Sequence, residues 1–136
     1  MLSPSIDTVR LFLHVLAASV WVGGQIALAG IVPALRRSHP ESTKTVARAF
    51  SRVAWTSFVL LFVTGIWNLI EVEVQDSTWS YTSTVLVHVA LSAAAGVAAA
   101  AHTFGKSKLA LALGGALGLL FSLAALFVGL LLRTGS

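Results

Sequence analysis

The chain has 136 residues, of which 57% are hydrophobic and only 10% charged, and its mean hydropathy of +0.89 lies well beyond ordinary soluble domains, so one integral membrane domain is expected. The formal net charge of +4 comes from basic residues beside long apolar runs, where they act as topology signals and not as a nucleic-acid surface. With no cysteine and methionine only at position 1, disulfides, iron-sulfur clusters, thiolate sites and a thioether ladder for cuprous ion are excluded.

The first apolar run, LFLHVLAASVWVGGQIALAGIVPAL, is closed by Arg36 and Arg37. A hydrocarbon core about 30 Å thick takes roughly 20 helical residues to cross, so this run is long enough to span. It is too long for a signal-peptide core and shows no clear cleavage site, so it is expected to stay as a membrane helix. At about 100° per residue, His14, Trp21 and Gln25 fall on one line, bordered by Ala17, Ala18 and Gly24. An imidazole and an amide facing lipid are costly, which turns that line toward a protein interior.

Helices are expected at about 8–35, 44–73, 79–103 and 108–132. Backbone groups must pair within lipid, so the fold class is all-α: a single four-helix transmembrane bundle running up-down-up-down. The first connection, RRSHPESTKTVARAFSR, is basic, with Pro40 ending the first helix and its second half patterned as an amphipathic helix leading into the second. The next, IEVEVQDSTWSY, is acidic through Glu71, Glu73 and Asp76, and HTFGKSK is basic again. By the positive-inside rule the basic connections are cytoplasmic and both termini lie outside, with Trp67, Trp79 and Tyr81 at the outer interface.

In the second helix, Ser57, Thr64 and Asn68 form a polar stripe suited to gluing helices together. Alternatively, Asn68 and Glu71 line an outer vestibule whose acids attract cations. Arg48 and Arg52, at the inner end, suit lipid phosphate better than a substrate. In the third helix, His88, Ser92, Ala95 and Ala99 share a narrow face. The fourth carries Ala110, Gly114, Gly118 and Ser122 at four-residue spacing, a surface for close internal packing or for a homodimer through Gly114 and Gly118.

Helices one and three run in the same direction, and His14 and His88 each lie a couple of turns from the outer end, so similar depth is expected. Two such stripes could hold a metal ion or a flat cofactor, with His14 and His88 as ligands and Trp21, Gln25, Ser92 and Asn68 around them; imidazole suits copper and haem iron alike. The plainer reading is that each imidazole donates a hydrogen bond to a nearby carbonyl. His102 and His39 are assigned to solvated or interfacial positions. There is no phosphate loop, HExxH or nucleophile with a base, so no catalytic residue is assigned and an enzyme is not expected. The likeness of LHVLAAS to VHVALSA is too short to establish a repeat.

The segments LHVLAASVWVGG, RAFSRVAWTSFVLLFVTGIWNLIEV and VLVHVALSAAAG resemble the membrane domain of the copper resistance protein D family. The residues that carry the resemblance are His14, Trp21, Gly23, Gly24, Arg48, Phe50, Ser51, Thr64 and Gly65, over roughly positions 10 to 100. It implies copper binding, transport or homeostasis at the plasma (inner) membrane, with copper ion at the site. The chain is also similar to the membrane-bound protoporphyrinogen oxidase family, which is associated with haem and whose third-helix lysine is replaced here by His88, an exchange that weakens transfer of the enzymatic role and leaves haem ligation open. The rival reading is accordingly a protein that binds haem b through two histidines, for electron transfer or haem-linked oxidation. A third reading is an accessory membrane subunit without a site.

Overall fold

The computed structural model describes residues 1–72 and 77–135, and these are almost entirely helical. Helix α1 spans Ile6–Ser38, α2 Thr43–Glu71, α3 Trp79–Phe104 and α4 Lys108–Thr134, with a 3-10 turn at Pro40–Ser42 between the first two. All four are long and apolar enough to cross a membrane. Helix α1 begins earlier than its apolar run because Ser5 and Thr8 close a capping box, which satisfies backbone donors that no earlier turn can meet. It passes through Pro33 and stops before Pro40, which opens the 3-10 turn. Thr78 and Ser107 cap α3 and α4 with side-chain oxygens. The expected acids Glu73 and Asp76 lie outside the described residues.

The chain divides into two compact units, Met1–Val72 and Glu73–Ser136. In the first, His14 near the start of α1 meets Thr64 near the end of α2, while Gly24 meets Phe50 near the start of α2. The two helices therefore run in opposite directions. A side chain at Gly24 would collide with the Phe50 ring, whereas Gly23 faces open space. Trp21, only 4% exposed, packs its ring 4.7 Å from Phe58 and 5.9 Å from Trp55. Such aromatic pairs add about 0.5–1.5 kcal/mol each beyond area burial.

In the second unit, α3 and α4 are also antiparallel, because His88 reaches Ala125 and His102 reaches Leu111. A Cβ at Gly114 would come within 2.6 Å of the His102 backbone nitrogen and 2.7 Å of the Ala98 carbonyl oxygen. The small-residue stripe of α4 thus faces α3, with Gly114, Gly118, Ser122 and Ala125 all buried. A shallow apolar groove of about 550 Å³ runs beside this approach, lined by Ala94, Ala98, Ala101, Ala110, Gly114 and Leu117 among others. Such close backbone packing and interhelical hydrogen bonding hold this hairpin together.

Candidate functional site

Three histidines bind across their own hairpins through Nδ1. His88 Nδ1 lies 2.9 Å from the Ala125 carbonyl oxygen. A carbonyl only accepts, so Nδ1 carries the proton and the neutral ring has its lone pair on Nε2. His14 Nδ1 lies 2.9 Å from Thr64 Oγ1, and that hydroxyl sits 2.7 Å from the Leu60 carbonyl oxygen and 3.2 Å from that of Leu61. The single hydroxyl proton goes to α2's own carbonyls, which leaves Oγ1 to accept from His14. Here too the basic nitrogen is Nε2. An imidazole whose other N–H is held by an oxygen is fixed in tautomer and orientation, as a metal-ligating histidine requires.

His102 repeats the His88 arrangement, donating from Nδ1 to the Leu111 carbonyl oxygen. Both rings lie over glycines of α4: a Cβ at Gly129 would stand 3.0 Å from His88 Cε1, and one at Gly115 would stand 3.0 Å from His102 Nδ1. His88 and His102 are fourteen residues apart, as are their acceptors, and the buried pair Ala95 and Gly118 falls midway. A seven-residue repeat is the spacing at which two helices keep one seam facing a partner. The Nδ1 contact is therefore a packing device of this hairpin, used twice. His102 is exposed, as expected of a solvated or interfacial ring, and is also bonded across the hairpin.

The other expected site residues divide between the units. Gln25 donates from Nε2 to the Trp21 carbonyl oxygen at 3.2 Å, within α1, and Asn68 is half-buried on α2. Ser92 donates to the His88 carbonyl oxygen at 2.8 Å, within α3. Glu71 accepts from Trp67 Nε1 at 3.3 Å. Thr64, expected to glue helices, does so at the candidate ligand His14. Among the described residues no group of three or more His, Cys, Asp or Glu is placed to hold a metal ion.

Sequence reasoning overlooked Arg10. It lies one turn before His14 on the same face of α1, is 9% exposed, and among the described residues has one partner, Asp7 Oδ1, 3.0 Å from Nη2. Its Nε and Nη1 are buried without a hydrogen-bond partner among the described residues. The i, i+4 spacing to His14 was the available signal. The chain matches no family model, no curated protein and no solved structure.

Proposed function

We propose that this chain is a multi-pass membrane protein that binds b-type haem through imidazole Nε2, with His14 and His88 the candidate ligands, for electron transfer or haem-linked oxidation. The observation that carries the reading is the tautomer of these two imidazoles, each held by an oxygen at Nδ1 with its lone pair on Nε2. Haem would bring most of its iron's donors itself and would ask the protein only for imidazole nitrogens of the kind that His14 and His88 offer. A bare ion would need several donors from the protein, and among the described residues no group of three or more His, Cys, Asp or Glu is placed to supply them. The membrane setting rests on four apolar helices, and the alternation of basic and acidic connections supports both termini outside, with the plasma membrane as the proposed location.

A second reading, copper handling of the copper-resistance-D kind, is favoured by one observation. The residues that carry that resemblance meet each other in the first hairpin: His14 with Thr64 and Gly65, and Gly24 with Phe50. An absorption spectrum of the protein purified in detergent separates the two. The haem reading expects a Soret band that is lost in His14→Ala and in His88→Ala but kept in His102→Ala, which removes an equivalent interhelical bond from a histidine that is no proposed ligand. Stoichiometric copper without that band supports the second reading, and neither signal leaves an accessory subunit.

A further inference from the structure

We propose that Arg10 binds a carboxylate of the ligand seated at His14, and that this carboxylate belongs to a porphyrin. The proposal rests on the haem reading and adds what the imidazoles leave open, how the organic part of the ligand is recognised. A guanidinium is always charged and carries five N–H donors. That of Arg10 is about nine-tenths buried, and Asp7, itself 66% exposed, engages Nη2 alone. The buried Nε and Nη1 are without an acceptor among the described residues. Leaving charged donors unmet in a low-dielectric interior is costly, so each such atom calls for a partner. The complementary group is an anionic oxygen, because carboxylate hydrogen bonds to arginine are charge-assisted and short.

Position selects which anion. Arg10 and His14 are separated by one helical turn, about 6 Å of rise, on the face of α1 that also carries the buried Ala17 and Trp21. A ligand that reaches both must be apolar over most of its body, offer a metal to an imidazole and end in an acid. A porphyrin with carboxylate side chains has that construction; a simple cation does not, and a charged arginine one turn from His14 repels it.

The test uses the full chain in detergent with iron-free protoporphyrin IX and its dimethyl ester, read by quenching of tryptophan fluorescence. Wild type is expected to bind the diacid about tenfold or more tighter than the ester. Arg10→Gln should lose that preference. Asp7→Asn, an exposed substitution that frees Nη2, should keep or increase it. His14→Ala should keep it as well, because no iron is present to be ligated. Equal binding of diacid and ester by wild type, an unchanged preference in Arg10→Gln, or displacement of the diacid by an equimolar fatty acid would each overturn the proposal. Failure of the haem reading would appear separately, as no Soret band on adding haem.

Discussion

Thr64 shows how one hydroxyl can decide a histidine's chemistry. Its oxygen accepts from His14 Nδ1 while its proton goes back to α2's own carbonyls, so the threonine both clasps the hairpin and fixes the tautomer. Thr64→Val keeps the shape and removes the acceptor. Interhelical hydrogen bonds of this kind contribute about 1 kcal/mol in membrane proteins, so thermal unfolding in detergent should show a loss of that order, with Thr64→Ser close to wild type. Helical periodicity put His14, Trp21 and Gln25 on one line before any coordinates. It did not identify Thr64 as the partner of His14, because that depends on the register of α1 against α2, which no repeat within a single helix specifies. Arg10 stands on the same line, one turn before His14.

At the scale of the element, helix existence was plain from apolar length, and the ends moved where local capping outweighed hydropathy, as Ser5 does for α1. What the sequence left open was the use of each glycine. Gly24 admits the Phe50 ring, Gly114 admits the α3 backbone, and Gly23 admits nothing within 4 Å. Substituting valine should therefore separate them sharply. Overpacking costs roughly 1–3 kcal/mol, which is expected for Gly24→Val and Gly114→Val as lowered melting temperatures. Gly23→Ala should be neutral or gain up to about 1 kcal/mol from helix propensity. The Gly24 loss should be largely relieved by Phe50→Ala, whereas Gly114 faces backbone and has no such remedy. The stripe at Gly114 was legible as a close-packing surface; that α3 occupies it follows only from the coordinates.

For the whole molecule, the described helices leave Phe12, Phe62, Val97 and Phe127 among many exposed apolar side chains, a surface that suits lipid far better than water. The chain has no cysteine, so single cysteines report topology without background. A cysteine at Ser42 or Lys106 is expected to react with an impermeant maleimide only after the membrane is opened from the cytoplasmic side, and one at Ser77 from the outer side of intact cells; the reverse pattern would invert the topology proposed from charge. The proposal that His14 and His88 are haem ligands is tested most directly by low-temperature electron paramagnetic resonance of the oxidised protein. A low-spin ferric signal of the bis-imidazole type is predicted, lost in either alanine variant. A copper hyperfine pattern, or a ferric signal that survives both substitutions, would contradict it.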